Sequence, residues 1–324
     1  MFFEPISYDH AAFLIGEKPW NVSRSSELLA LAHINAMETY GYNKCVVGLD
    51  IYNIEPEAYG SKILEPTDSR VPTIEELIFT QVDEIFALNL DPYKSGRIPM
   101  VFDAADQIAK KNPKAEIRIP LSGPFTIACN LLGMENVICE TLINPIQIEN
   151  ILMHLARNQV IYGMAAIRKG YEITIFESSV TPPLLSPQLF KDHVLPAIKY
   201  FLDKLKEITK NGIQFIIGGD TSPILDSICS LLPKSIICPA ETDQQKFMAY
   251  IQEKGFDKKI DVRINMKPSV FLTGNQEWAI NEASRVLSVA KGIKGVTFGS
   301  IMPYEADPAI VKNVSNFISS FKVH

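Results

Sequence analysis

The sequence is poor in the residues from which thiolate, imidazole and nucleic-acid sites are built. Its five cysteines, Cys45, Cys129, Cys139, Cys229 and Cys238, are odd in number and form no C-x-x-C pair. Each lies in an apolar segment, so all five read as reduced core residues of a cytoplasmic protein. Of the five histidines, His33, His154 and His193 fall on expected helices away from strand ends, His10 is near the N-terminus and His324 is terminal. A histidine triad or a histidine-based zinc cluster is therefore not expected. No run reaches the roughly 18 apolar residues of a membrane span. The start, Met1-Phe2-Phe3-Glu4-Pro5, lacks a basic segment followed by an apolar one, so neither export nor a membrane is expected. Clustered positive charge is missing as well: the net charge is −6 and the lysines are scattered, which argues against a nucleic-acid partner. Lys110, Lys111 and Lys114 sit where a helix ends and complement its dipole. No repeat, linker or low-complexity stretch divides the 324 residues, so one domain over 1–324 is expected.

What is present is an alternation of short β-rich apolar runs with longer amphipathic stretches. The expected strands are Cys45–Leu49, Glu116–Ile119, Glu172–Phe176, Gln214–Ile217, Ser235–Cys238, Asp261–Ile264, a weak run at Val270–Leu272, and Gly295–Phe298. Most are apolar without strict alternation, as strands buried on both faces of a parallel sheet are. Helices are expected from Ser25 or Ser26 to about Tyr40, over Pro145–Lys169, from Ser186-Pro187, and over Gln276–Ala290 and Ala309–Phe321. Eight strands separated by helices predict an α/β fold, a single (β/α)8 TIM barrel, with an N-terminal helical extension. A doubly wound open sheet is the alternative, weakened by the lack of a G-x-G-x-x-G after a first strand. Residues 60–115 form a long connection expected to cover the barrel mouth.

In a parallel barrel the chemistry lies at the carboxyl ends of the strands, so the polar residues after each run are the candidates. The first expected strand is followed by Asp50, Tyr52, Asn53, Glu55, Glu57 and Tyr59. Asp50 is the best placed of these, and Glu55 and Glu57 read equally well as solvated loop charges. Glu177 and Ser178 follow Phe176; a carboxylate there is either catalytic or holds neighbouring backbone N–H groups. Gly218, Gly219 and Asp220 follow the Gln214 run; Asp220 either contacts a ligand or caps the next helix. Asn265 and Lys267 follow the Asp261 run, where Lys267 offers a positive charge to an acidic substrate, and Ser300 follows the last run.

At these segments the chain resembles the uroporphyrinogen decarboxylase family, from about Val46 onward. The resemblance rests on Ser122-Gly123-Pro124-Phe125-Thr126 with Leu131-Leu132-Gly133, on Phe176-Glu177-Ser178, and on Leu185-Ser186-Pro187 with Phe190 and Val194-Leu195-Pro196. Gly219-Asp220-Thr221-Ser222-Pro223-Ile224-Leu225 is similar to the family's G-N-T-x-P-I-L turn, and Glu57-Ala58-Tyr59-Gly60 to its E-A-L-G element. The resemblance implies a (β/α)8 barrel. The decarboxylase aspartate corresponds to Asp50 and its substrate-binding serine to Ser178. Its arginine-rich R-Q-A-G-R motif has no counterpart, since Phe13-Leu14-Ile15-Gly16-Glu17-Lys18-Pro19-Trp20 stands in that region. The family's zinc-dependent methyltransferases exchange methyl groups between corrinoid proteins and thiols, holding zinc with H-x-C and a late cysteine. Those positions here resemble Ile216, Gly218 and Ser300, so no thiolate zinc site is implied.

The resemblance thus implies a methyltransferase-like enzyme of corrinoid-linked one-carbon metabolism, working on a small organic compound. No tightly bound cofactor is expected; a partner protein would present the corrinoid (cobalamin). Asp50, Glu177 and Asp220 are the candidate acid, base or orienting groups. A decarboxylase of a small acid and a non-catalytic ligand-binding barrel are the alternatives. The oligomeric state stays open, a homodimer included.

Overall fold

The structure is a computed structural model and describes residues 1–321, so His324 lies outside the described residues. In chain order its strands are β1 (Phe3–Ile6), β2 (Lys44–Val46), β3 (Ile63–Leu64), β4 (Thr73–Ile74), β5 (Glu116–Ser122), β6 (Glu172–Phe176), β7 (Gln214–Ile216), β8 (Ser235–Cys238), β9 (Asp261–Asn265) and β10 (Val296–Ile301). Eight of them form one all-parallel sheet in the order β1-β10-β9-β8-β7-β6-β5-β2. From β5 to β10 each strand lies beside its sequence neighbour, and β1 joins β10. That circular order is a (β/α)8 barrel and not a doubly wound sheet, whose order reverses at a switch point. β3 and β4 form a separate antiparallel pair.

No ladder joins β1 to β2. Side chains close the barrel there instead: Lys44 Nζ stands 3.8 Å from Glu4 Oε1 across the seam. His33 belongs to this closure. Its helix, Ser26–Tyr40, is capped by Ser25, and its Nε2 accepts the Gly48 N–H at 3.1 Å. Burial holds this imidazole down at about 4, so it stays neutral and can accept.

Two strands differ from expectation. Val270–Leu272 is not a strand; Pro268–Phe271 is a 3-10 turn. Pro268 fixes φ and removes a donor, which ends extended pairing. The missing strand is β1, at the very start of the chain. Its sequence, Phe-Glu-Pro-Ile, hides it, because Pro5 is tolerated only where one edge carries no ladder. The helices near the N-terminus, Asp9–Leu14 and Pro19–Val22, therefore follow a barrel strand rather than precede the barrel.

The helices Pro145–Arg168, Leu195–Lys206, Gln276–Val289 and Pro308–Ser320 fall close to the expected ranges. Ile98–Lys111 is a helix inside the stretch 60–115 that the sequence predicts to be one long connection; only its end, with Lys110 and Lys111 in the last turn, is expected. Outward-facing Ile117, Ile119, Ile173, Phe215, Val262 and Phe298 pack against them in the main core. The inward faces alternate more strictly than the sequence reading expected. In β9 Asp261, Arg263 and Asn265 turn to the barrel interior while Val262 and Ile264 are buried in the outer core. Near the strand starts the interior is charged (Glu4, Lys44, Arg118, Arg263). Near the strand ends it is an aliphatic and aromatic cluster of Ile51, Phe176, Ile216 and Ile237. Four cysteines are buried, but Cys139 is exposed on the helix Met134–Ile143, which corrects its expected place in the core.

Candidate functional site at the barrel mouth

Two large cavities flank the barrel interior. The larger, about 690 Å³, lies at the strand starts and is lined by ion-paired side chains such as Arg118 with Glu116 and Lys234 with Asp261. The other, about 490 Å³, lies at the strand ends. Size favours the first. Barrel chemistry is built from the loops after the strands, and the second cavity has the largely apolar wall with few polar groups typical of small-molecule sites.

The mouth cavity is walled by Ile6, Ile51, Phe176, Ile216, Ile237 and Ile301. Tyr8 and Tyr52 each meet the Phe176 ring edge-on. Burial pushes the Tyr52 phenol up to about 12, so it is a hydrogen-bond donor at neutral pH. Val71, Pro72 and Thr73, from the connection after the Ile54–Ala58 helix, close one side. The expectation that this connection covers the mouth holds for that segment. Asp9, Asp50, Asn53, Gly218, Arg263 and Asn265 supply the remaining lining.

Of the residues singled out from the sequence, Asp50, Tyr52, Asn53, Gly218 and Asn265 reach this cavity. Asp50 does so with its carboxylate already taken. Arg97 Nη1 and Nη2 donate to its two oxygens at 2.6 Å each, and Asn53 Nδ2 donates to Oδ2 at 3.1 Å. Arg97 Nε also donates to Glu57 at 2.6 Å, and Arg24 Nη1 donates to both Glu57 oxygens. Glu57 is thus neither a free loop charge nor a cavity group but the second carboxylate of an arginine-centred network. Arg97 went unnoticed because it lies 47 residues from Asp50 in sequence.

Glu55 is fully buried and away from the cavity. It accepts from Ser122 N (2.7 Å), Ser122 Oγ (2.9 Å) and Gln159 Nε2 (2.8 Å), which corrects its reading as a solvated charge. Burial raises its carboxyl. The Tyr59 hydroxyl is buried and off the cavity.

Glu177 does what its structural alternative described. It accepts from Thr126 N (2.8 Å), Phe125 N (3.3 Å) and the Thr126 hydroxyl, at the start of the helix Pro124–Leu132. It therefore caps the two N–H groups, Phe125 and Thr126, that the helix start leaves without a backbone partner, and it does not line the cavity. Burial pushes it up to about 7 against those hydrogen bonds. Ser178 lies beside it, its N–H donating to Thr126 Oγ1 at 2.9 Å.

Asp220 is exposed and outside the cavity, accepting from Ser222 N at 3.1 Å and from the Thr242 hydroxyl. The Thr242 hydrogen bond holds it below the usual carboxylate range. Asp220 thus holds the turn before the Ser222–Ile224 segment, whose cap position is Thr221, and neither lines the cavity nor caps the helix itself. Gly219 has φ +76 and serves the turn. Lys267 is exposed and off the cavity; its N–H donates to Glu282. Ser300 is inside β10, not after it, and is fully buried with Oγ donating to Met266 O at 3.0 Å. Strand alternation puts Ile301, not Ser300, at the mouth.

At the three positions that the family resemblance matches to zinc ligands, no thiolate or imidazole stands. Ile216 and Gly218 offer no ligand atom, and Ser300 is turned to Met266. Among the described residues no group of three His, Cys, Asp or Glu side chains converges. Nor is any single helix long and apolar enough to cross a membrane.

The model of the uroporphyrinogen decarboxylase family matches residues 10–321, and the chain belongs to that family. A methylated-thiol–coenzyme M methyltransferase from Methanosarcina mazei is 27% identical over 205 residues, 63% of this chain and 54% of that protein. The chain thus spans about half the length of the curated relative it matches. A solved structure described as a methyltransferase from Methanosarcina mazei superposes with a TM-score of 0.82 at 20% identity, covering 98% of this chain and 91% of the other. At that identity the likeness speaks for the fold.

Proposed function

We propose that the protein is a methyltransferase of corrinoid-linked one-carbon metabolism, moving a methyl group between a corrinoid protein and a small organic compound held in the mouth cavity. The observation that carries this reading is the apolar chamber of about 490 Å³ at the strand ends in a chain whose curated relative is a methyltransferase. The chamber is sized for a small molecule and its wall is largely apolar. Exposed Ile301 and Leu272 leave apolar surface at the described strand ends and the following turns, where a partner could dock. The corrinoid, when presented there, supplies the site that gains or gives the methyl group.

This chain's residues bind and protonate. Phe176, Ile216 and Ile237 hold the methyl-bearing end of the compound. The phenols of Tyr8 and Tyr52 donate hydrogen bonds to its heteroatom. Asp9 is the lining carboxylate without an arginine partner, and burial raises it. It replaces Asp50, Glu177 and Asp220 in this proposal as the group that can give a proton to a leaving heteroatom as the methyl departs. No thiolate zinc is invoked, because the matching positions carry no ligand. The test is methyl transfer with a reconstituted corrinoid protein, followed in the cobalamin spectrum over a panel of methyl thioethers, amines and ethers. A spectral change that Asp9→Asn slows, with its alkaline limb displaced or lost, is the expected result. No change with any donor overturns the proposal.

A further inference from the structure

The cavity of about 690 Å³ at the strand starts takes no part in the activity proposed above, yet its charges do not cancel. Five cations line it, Lys44, Arg118, Lys210, Lys234 and Arg263, against three carboxylates, Glu4, Glu116 and Asp261. That surplus sits in a chain whose net charge is −6. Lys234 is paired with Asp261 and Arg118 with Glu116, each at 2.6 Å. Glu4 is shared: Arg263 Nη1 stands 3.0 Å from its Oε2 and Lys44 Nζ 3.8 Å from its Oε1. Lys210 is exposed and has no ion-pair partner among the described residues. Glu172 is turned to the neighbouring loop, where its Oε1 accepts the Asn211 N–H at 3.0 Å, and does not line the cavity.

Arg118 gives the surplus a direction. It is 4% exposed and lines this cavity, not the one at the mouth. Its Nε donates to Glu116, and its Nη1 donates to the carbonyls of Ile173 and Gly212 at 2.8 and 3.3 Å. Among the described residues its Nη2 donates to no protein atom, nor is it one of the sealed-off polar atoms left without a partner. That edge of the guanidinium is therefore open to the cavity. Ser235 and Thr297 line the cavity too, on the inward face that Ile237 and Ile301 share farther along the same strands. Neither hydroxyl has a hydrogen-bond partner among the described residues, and neither is sealed off.

We infer that the strand-start cavity binds a phosphate group, free or borne on a small polar molecule, with the open edge of Arg118 and the ammonium of Lys210 as its charged contacts. A tetrahedral dianion takes donors from several directions, whereas a carboxylate offers one planar edge. Here the donors come from the starts of β5, β7, β8 and β10. The cavity is larger than one phosphate group, so an ester's polar remainder has room. Lys44 and Glu4 flank the seam between β1 and β2 that no ladder joins. An anion bound beside them ties that seam and stabilises the folded chain alone. The site is separate from the mouth cavity and independent of methyl transfer.

The test is calorimetric titration and thermal unfolding of the full chain with inorganic phosphate, ribose 5-phosphate, ribose and acetate, at ionic strength matched with potassium chloride. Both phosphates should bind and raise the melting temperature as their concentration rises, and ribose and acetate should do neither. Tighter binding of ribose 5-phosphate assigns an ester, and equal affinity assigns the free ion. R118Q should weaken both phosphates about tenfold or more, as loss of a charge-assisted hydrogen bond implies. K210E, on an exposed loop where folding is not at stake, should weaken them about fivefold. If R118Q does not fold, K210E decides. I301W, which fills the mouth, should leave phosphate binding as it is. Phosphate binding weaker than about 10 mM overturns the inference, as does acetate binding as tightly as phosphate. Unaltered affinity in K210E also overturns it, and loss of binding in I301W does so by moving the anion to the mouth.

Discussion

Arg97 closes on Asp50 with two parallel hydrogen bonds of 2.6 Å, Nη1 to Oδ1 and Nη2 to Oδ2, with the Asp50 side chain fully buried. A buried pair of this kind punishes loss of one partner, because the other charge is left uncompensated. Asp50→Ala or Arg97→Ala should each destabilise the fold by about 3–5 kcal/mol. The double variant should cost less than the sum of the two. Urea unfolding of all three decides it. Singles that cost under about 1 kcal/mol, the level of an exposed pair, would show that the network is not buried in solution.

Glu177 predicts a pH dependence of definite sign. Its folded pKa, about 7, lies above the ordinary carboxyl value of 4.5 because of burial. The folded state therefore holds more protons than the unfolded one between these values. Its contribution to stability is full below about 4.5 and is lost as pH rises through about 7, on the order of 3 kcal/mol across the window. Glu55, also raised by burial, acts with the same sign. Denaturant midpoints at pH 5 and pH 8 should differ less in Glu177→Gln than in the native protein.

Gly123 is held to glycine by that same carboxylate. Its φ of −71 suits any residue, but a Cβ would fall 2.0 Å from Glu177 Oε2. Gly123→Ala should therefore lower the melting temperature, at a cost of about 1–3 kcal/mol typical of overpacking. Gly123→Ala should be less damaging in a Glu177→Ala background, where the carboxylate clash is gone and only the Cβ of residue 177, 3.0 Å away, remains close. An equal penalty in both backgrounds would assign the glycine to something other than Glu177.

The thiols give a direct test of the core. Four of the five cysteines are buried and only Cys139 is exposed. A thiol reagent such as dithionitrobenzoate should titrate one cysteine rapidly in the native protein and all five in guanidinium. Cys139→Ser should remove the fast phase with little effect on stability.

Much of the barrel was legible in the chain. The runs at Glu116, Glu172, Gln214, Ser235 and Asp261 are strands because β-rich apolar segments between amphipathic stretches have few other ways to bury themselves. The caps at Ser25 and Ser186 act locally, so they too can be read from sequence. The turn residues Gly218 and Gly219 and the phenol of Tyr52 were found near the mouth for the same reason. β1 was not legible: four residues with a glutamate and a proline become a strand only because β10 offers an edge.

The residues alone thus determined the kind of fold and which side chains stand after each strand, since both follow from periodicity and from where each apolar run stops. Only the tertiary structure decided which carboxylates are available. Asp50, Glu55, Glu57 and Glu177 look alike along the chain, yet each is claimed by a partner from another segment: Arg97, Ser122 with Gln159, Arg24 with Arg97, and the Pro124–Leu132 helix start. Arg263 enters the cavity from the inward face of β9 and Asp9 from the start of the helix that follows β1. Charge neutralisation in a barrel is settled between residues far apart in sequence, so it becomes readable only once the sheet has curled.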